Sequence, residues 1–407
     1  MQWMPDSALG VYVSIPFCRS KCTYCNFASG VYPASEHARY VDRLVDSLAG
    51  AGDWAAGIGA HLPRMVDTIF LGGGTPSLLE PELIQKLFAA IRAHFRVAPN
   101  AEITAECAPG QLPQPTLEAL AEAGVNRVSL GVQSFIDAEA HASGRLHSRA
   151  MVLDDVRRLR AAGIANLNLD LIAGLAGQTF ASWNESLAVL LETGVPHASI
   201  YMLEVDEDSR LGRELLSGGV RYRAGLVPND DTVACMYETA IDRLTAAGLA
   251  QYEISNFARP GHESRHNLRY WQRRPYLGLG LDASSALYAA SGSEERADLL
   301  RSTTTDDLQA YLNGLLSPET ERLDRARRHE EAWFLGLRLN AGVDPADLAA
   351  EFGPELLAPA LKAAARLAAD GLLEANGARI RLTARGRLLS NEVFQSFLDL
   401  HALLAPA

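Results

Sequence analysis

Cys18, Cys22 and Cys25 are the residues whose type and spacing point most directly to chemistry. They stand three and two residues apart, just after a short apolar run that begins at Gly10. Thiolates are the soft ligands that iron–sulfur clusters prefer, and three of them satisfy three irons of a [4Fe–4S] cube and leave the fourth coordinatively open. An open iron can take a small chelating molecule, and that separates such a site from a four-cysteine electron carrier. A structural zinc site would want a second pair of ligands at short spacing. The other two cysteines, Cys107 and Cys235, stand alone, and His37 is the one histidine close behind the triad. Arg19 and Lys21 between the cysteines are expected to lower the thiol pKa values and offset cluster charge.

The chain that must position this loop has 407 residues, 48% hydrophobic and 21% charged, enough for a large core plus smaller modules. Five cysteines in that length argue against a disulfide framework and for a reducing compartment. The start, Met1 to Asp6, has no basic segment followed by an apolar run, and no stretch approaches the length of a membrane span, so a cytoplasmic protein is expected. A formal net charge of −12 disfavours a nonspecific nucleic-acid binder.

From residue 11 to about 205, apolar runs alternate with amphipathic stretches, the pattern of consecutive βα units. Strands are expected over 11–15, 66–71, 101–105, 127–131, 166–171 and 198–202, with helices over 40–48, 81–95, 117–122, 150–161 and 183–192. Parallel barrels place their sites at the C-terminal ends of the strands. In order, the six ends present the cysteine loop, Gly72-Gly73-Gly74-Thr75-Pro76, Glu106, Gln133 with Ser134, Asp170 and Glu204. A full eight-unit barrel needs about 250 residues, so six units imply a partial (β/α)6 barrel with an open side. The expected division is a barrel with its cluster loop over 1–210, an α+β extension over 211–310, and a C-terminal helical, winged-helix-like module over 311–407. In that module residues 378–387 read as a short strand and wing, whose four arginines raise a DNA reading that the acidic chain disfavours.

Each site residue has a plain alternative. The glycine run can be a tight turn, Glu106 a solvated loop acid, Arg145 a surface arginine, and Asp170 a buried acid with a structural partner. Cys107 and Cys235 are assigned to packing. His266, among Asn267, Tyr270 and Trp271, sets a neutral imidazole beside flat aromatic faces that could meet a ligand; its alternative is a hydrogen-bonded structural group.

Several segments together carry a resemblance. They are Tyr12-Val13-Ser14-Ile15-Pro16-Phe17-Cys18, Phe70-Leu71-Gly72-Gly73-Gly74-Thr75-Pro76, the run from Asn126 to Phe135, Gly144-Arg145-Leu146-His147, Asp170 to Leu175, Gln251 to Ala258, and His266-Asn267-Leu268-Arg269-Tyr270-Trp271. The chain resembles the radical S-adenosylmethionine family that contains oxygen-independent coproporphyrinogen III oxidase and a related heme chaperone. The resemblance implies a [4Fe–4S] cluster on Cys18, Cys22 and Cys25, S-adenosylmethionine on its open iron, and cofactor contacts at Tyr12, Gly73, Gly74, Thr75, Glu106, Gln133, Arg145 and Asp170. It also implies an electron donor such as flavodoxin or ferredoxin. Departures occur where the family has histidine and this chain Ser14, asparagine and Ala108, proline and Ala176, and an alanine–glycine–alanine–histidine run and Leu281-Asp282-Ala283-Ser284. The oxidase is similar to a four-cysteine pattern and carries a longer N-terminal arm, whereas here Phe27 holds the fourth position and 17 residues precede Cys18. Both features favour the chaperone, which binds heme as cargo and passes it to an acceptor protein, possibly at the membrane, over the decarboxylating oxidase; His266 is then the candidate to meet heme, since aromatic faces suit a porphyrin and neutral imidazole ligates iron.

Overall fold

The computed structural model describes residues 8–290, 298–314, 319–398 and 400. Met1 to Asp6, on which the absence of a leader was argued, lie outside them.

Six strands, β1 (Leu9–Ile15), β2 (Met65–Gly73), β3 (Arg96–Cys107), β4 (Arg127–Gln133), β5 (Asn166–Ala173) and β6 (His197–Met202), pair in chain order and all in parallel. Helices Ser35–Gly57, Pro81–His94, Gln114–Glu122, Arg149–Ala161 and Phe180–Thr193 connect them. Val11, Val13, Ile69, Leu71, Val128, Leu130, Leu167 and Leu169 are buried to within about 1% of full, as parallel strands covered by helices require. Gly124, Gly163 and Gly194, which follow the last three of these helices, all have positive φ, as glycines that end helices do. These are the six βα units expected, with the strand cores where the apolar runs lie.

The sheet continues past both edges of the barrel. At one side β7 (Ala250–Gln251) and β8 (Asn256–Ala258) add on, β8 running antiparallel to β6, so β6 does not close onto β1. At the other, β9 (Tyr276–Leu279) pairs in parallel with β1 and is followed by antiparallel β10 (Ser284–Tyr288), β11 (Leu299–Thr303) and β12 (Thr320–Leu323). The twelve-stranded order is β12-β11-β10-β9-β1-β2-β3-β4-β5-β6-β8-β7. A seventh parallel strand was not expected, because four residues of Tyr276–Leu279 show no run long enough to read.

Helix Arg265–Trp271 packs across the end of the barrel where the strands begin. Glu102 accepts the backbone N–H groups of Arg265 (3.0 Å) and His266 (2.9 Å), placing a carboxylate at the helix N-terminus, and Arg269 is fully buried against Asp67. The C-terminal part, helices Arg325–Leu337, Pro345–Phe352 and Pro354–Ala369 with a hairpin of β13 (Leu373–Asn376) and β14 (Arg379–Leu382), has its own core around Trp333, Phe352 and Phe397. Of residues 378–387, read as a short strand and wing, Arg379–Leu382 forms β14, paired with β13, and the last residues begin the short helix Ala384–Leu388, capped by the Thr383 hydroxyl.

Candidate functional site

The cysteine loop leaves β1 at Pro16 and is pinned by the backbone at both ends. Cys18 N–H donates to Gly30 O (2.8 Å), Gly30 N–H to Pro16 O (2.9 Å), and Thr23 N–H to Ser143 O (3.0 Å). Lys21 Nζ donates to the carbonyls of Phe27 (3.0 Å) and Ser29 (3.1 Å), tying the loop across itself. Lowered thiol pKa values were expected from Arg19 and Lys21; for Cys18 the opposite holds, because burial of the thiol outweighs the hydrogen bonds from Ser29 and Thr75 and raises it. All three cysteines are free and partly exposed. Among the described residues no three His, Cys, Asp or Glu side chains converge closely enough to hold a single ion, which a mononuclear zinc site demands. A cube takes one thiolate per iron, so it does not ask the three sulfurs to converge on one ion.

Opposite the loop, Gly74 N–H donates to Ile15 O and Thr75 N–H to Phe17 O (both 2.8 Å), so the glycine run is laced to the root of the cysteine loop, and the Thr75 hydroxyl faces Cys18 Sγ at 3.9 Å. The glycines are demanded by this close approach. A Cβ on Gly74 would lie 2.7 Å from Phe17 O and 2.9 Å from Ile15 O, and Gly73 has φ of 100°. Gly74→Ala is therefore expected to destabilise the fold by about 1–3 kcal/mol through overpacking against backbone, and to lower cluster loading with it. Thermal melts beside iron analysis would check this.

The strand ends supply the rest. A register shift between Gly131 and Gln133, facing β5, re-aims Gln133, which sits at φ of 67° with its side-chain Oε1 buried and unpartnered. A non-glycine residue held in the left-handed region with an unsatisfied amide oxygen is the kind of strain that accumulates at ligand sites. Arg145 runs over Gly131, where a Cβ would meet its Nη2 at 2.9 Å; Nη2 donates to the Tyr24 hydroxyl in the cysteine loop (3.2 Å), while Nε is buried without a partner. Asp170 accepts from Ser129 Oγ (3.1 Å) and Asn168 Nδ2 (2.7 Å), yet burial raises its pKa. Glu106 is pushed up to about 8, by burial first and the neighbouring Asp170 second, against the lowering pull of the Gly73 N–H, Arg145 and Arg127.

Cys18, Cys22, Cys25, Gly73, Gly74, Thr75, Glu106, Gln133, Arg145 and Asp170 all line one cavity of about 940 Å³, and Glu204 lies at its edge. Its size is at the upper end of the usual range for cofactor pockets, about 300–1,000 Å³. The residues present fit the cluster and cofactor of the resemblance: three thiols, and lining the same cavity a guanidinium and an amide oxygen with unmet hydrogen-bonding capacity. Tyr12 stands apart, stacked on Phe70 (6.1 Å between ring centroids) in a smaller polar cavity of about 230 Å³ inside the barrel, which Glu106 and Asp170 also reach.

His266 is placed at the far end of that inner cavity. Its Nδ1 is 2.9 Å from Thr68 Oγ1 and its Nε2 2.9 Å from the Tyr270 hydroxyl, and it is 1% exposed. Burial, with Arg269 and Arg127 nearby, lowers its pKa to about 3, so the ring is neutral, and both nitrogens are already engaged. The expectation of direct contact with heme does not fit this arrangement. Its motif encodes a helix that plugs the barrel floor, and nothing in the residue types distinguishes that from a ligand face. Cys107 is buried, its thiol pushed up to about 12 by that burial, as packing predicts; Cys235, also assigned to packing, is exposed on helix Asp230–Ala246.

Sequence reasoning passed over Tyr24, Ser129, Asn168 and Arg127. Tyr24 lies between two of the cysteines and was readable as part of the loop. Arg127 is 2% exposed at the start of β4, with no hydrogen bond or ion pair among the described residues, and it acts on the carboxylates through space. An arginine leading an apolar strand carries no sign of that.

Comparison with known proteins bears on the family and the fold. A family model described as the radical SAM superfamily matches residues 12–190, and one described as the HemN C-terminal domain matches residues 323–389. The chain is 32% identical to the heme chaperone HemW of Lactococcus lactis, over 97% of each chain, and 31% identical to that of Escherichia coli, over 96% of this chain and 98% of the relative. A mouse mitochondrial radical S-adenosyl methionine domain-containing protein is 32% identical over 83% of this chain and 76% of its own length. Among solved structures, coproporphyrinogen III oxidase (HemN) from Escherichia coli matches with a TM-score of 0.81 at 23% identity, covering 97% of this chain and 91% of that one, a likeness of fold.

Proposed function

The chain belongs to the HemW family of radical S-adenosylmethionine proteins, and from that premise we propose that it is a heme carrier, holding a [4Fe–4S] cluster and S-adenosylmethionine at the barrel mouth and passing heme to an acceptor protein. The observation that carries the reading is the convergence of three thiols, Arg145 and the unpartnered Gln133 amide on one cavity. Cys18, Cys22 and Cys25 hold three irons. The Gly73–Thr75 backbone and Glu106 receive the methionyl ammonium, Arg145 pairs with the methionyl carboxylate, and Gln133 and Asp170 meet the nucleoside. When bound, cluster and cofactor together supply one-electron reductive chemistry at the sulfonium.

Carriage in place of decarboxylation is supported by Phe27, 63% exposed where the oxidase pattern has a fourth cysteine, and by full-length identity to heme chaperones. For the cargo, the outer wall of the cavity offers Tyr201, Met202 and Leu203, with Arg338 across from them as a cation suited to a propionate. No helix of the described residues is long and apolar enough to cross a membrane, so delivery to a membrane acceptor would take place by docking.

His266 is assigned a positioning role. His266→Gln is expected to lower stability by about 1–3 kcal/mol, as buried partners are left unpaired, while the optical and electron-paramagnetic signature of bound ferric heme keeps its form. A changed spin state would hand the axial position to His266. The function itself is tested by anaerobic reconstitution followed by parallel heme titration, heme transfer to an apo-acceptor and coproporphyrinogen decarboxylation. Stable heme binding with transfer supports the carrier; decarboxylation at enzymatic rates without it reverses the assignment.

A further inference from the structure

Against the cysteine loop, next to the cofactor cavity with which it shares Ser20, Lys21 and Gly144, lies an open groove of about 550 Å³. Lys21, Arg210, Arg221, Arg223 and His141 line it, and none of its lining residues is acidic. In a chain with 49 acidic and 37 basic residues and a net charge of −12, a groove with four cations and no carboxylate is an exception.

The groove is built. The exposed loop that carries the two outer arginines is held by the Glu214 carboxylate, which accepts the N–H groups of Tyr222 (2.8 Å) and Ala224 (3.2 Å). That clamp sets Arg223 at φ of 58°, and the Arg221 guanidinium lies over the Tyr222 ring at 5.3 Å. Neither guanidinium makes a hydrogen bond or ion pair among the described residues, and both arginines are exposed. Leu215, Leu216 and Val220 stand beside them, 54%, 67% and 91% exposed. Arginine with an aromatic ring and exposed aliphatics is the composition of a protein-docking surface.

Its position says what docks. The inner wall is Ser20 and Lys21 of the cysteine loop together with the Gly144 turn, and that turn is packed so tightly that a Cβ on Gly144 would lie 3.1 Å from Cys22 Cα. A molecule seated in the groove meets Lys21 and Thr23, the two chain neighbours of Cys22. Only a partner that exchanges electrons gains from that proximity, and only an acidic one gains from the charge. We infer that the groove lined by Lys21, Arg210, Arg221 and Arg223 is the docking surface for an acidic one-electron carrier protein, which reduces the cluster through the cysteine loop. The inference rests on the cluster reading above. In the step the carrier is oxidised by one electron and the cluster reduced by one, and no bond to the protein forms or breaks. The chain's general negative charge repels such a carrier elsewhere, so the groove also orients it.

The test compares the reconstituted protein with its Arg221→Glu/Arg223→Glu and Arg221→Gln/Arg223→Gln variants, using reduced flavodoxin as the carrier and photoreduced 5-deazariboflavin as a small uncharged reductant. The expected result is a carrier-driven reduction rate about tenfold or more lower in the glutamate variant at low salt, with the glutamine variant between. The unsubstituted rate should fall with salt toward that of the variant, while the small reductant works equally on all three. Equal carrier rates, or a loss of binding to anionic phosphatidylglycerol vesicles with the carrier rate unchanged, overturn the inference. A protein that takes up no cluster overturns the functional reading instead; affinity for oxidised flavodoxin, compared across the same proteins, still decides the docking surface on its own.

Discussion

Replacing Cys18 with serine is expected to strip the protein of its iron while leaving its fold nearly intact. A cube with three protein ligands has none to spare, and a hydroxyl is a hard, weakly acidic substitute for a thiolate. Iron should drop from about four per chain to well under one, with acid-labile sulfide falling in parallel. The fold should survive because the loop is held by bonds that do not involve the thiol: the Cys18 and Gly30 backbone pairs and the Lys21 ties to Phe27 and Ser29. The contrast lies with the two remaining cysteines. Cys107→Ser buries a hydroxyl in a site whose thiol is already held neutral, so it should cost stability, about 1–3 kcal/mol, but no iron. Cys235→Ser, on an exposed helix face, should change neither. Metal and sulfide analysis with circular dichroism on the three variants separates these outcomes, and equal iron loss in all three would defeat the assignment of ligands.

Glu106 should make cofactor binding release a proton. Its carboxyl titrates at about 8 in the folded protein against an ordinary 4.5, because burial and Asp170 disfavour the charge. Between those two values the folded chain holds a proton that the unfolded chain has lost, so stability falls as pH rises through the window and levels off above about 8. In Glu106→Gln that slope disappears, and the variant gains relative stability toward the alkaline end. When the methionyl ammonium arrives beside it, the carboxyl is driven to its ionised form and a proton leaves. Calorimetry of S-adenosylmethionine binding near pH 7 in buffers of different ionisation enthalpy should then report release approaching one proton per cofactor. The glutamine variant should release almost none and bind more weakly by roughly 10-fold or more, the size of a lost charge-assisted contact. Asp170, also raised by burial, remains in both proteins and so drops out of the difference.

The barrel was legible because its strands are runs of Val, Ile and Leu long enough to mark their own ends, and parallel topology converts strand ends into a rim. Cys18, Thr75, Glu106, Gln133 and Asp170 come from five separate βα units, and chain order alone put them on one side. What escaped was set by distant partners. β9 was invisible at four residues because its pairing with Gly10 to Val13 defines it. Lys21 looked like an electrostatic aid to the thiols, whereas its reach to two carbonyls of its own loop makes it a tie. The segment from His266 to Trp271 reads equally well as a ligand face or as a plug; Glu102, Thr68 and Asp67, some two hundred residues earlier, decide in favour of the plug. The left-handed backbone of Gln133 is likewise a product of the bulge facing β5, which no local preference announces.

The most direct measurement is electron paramagnetic resonance of the anaerobically reconstituted, reduced protein, recorded with and without S-adenosylmethionine. The account predicts a single signal of a reduced cubane whose g values move when the cofactor is added, since the cofactor would bind the open iron in the cavity that Arg145 and Gln133 also line. No cubane signal, or one indifferent to the cofactor at saturating concentration, would contradict it.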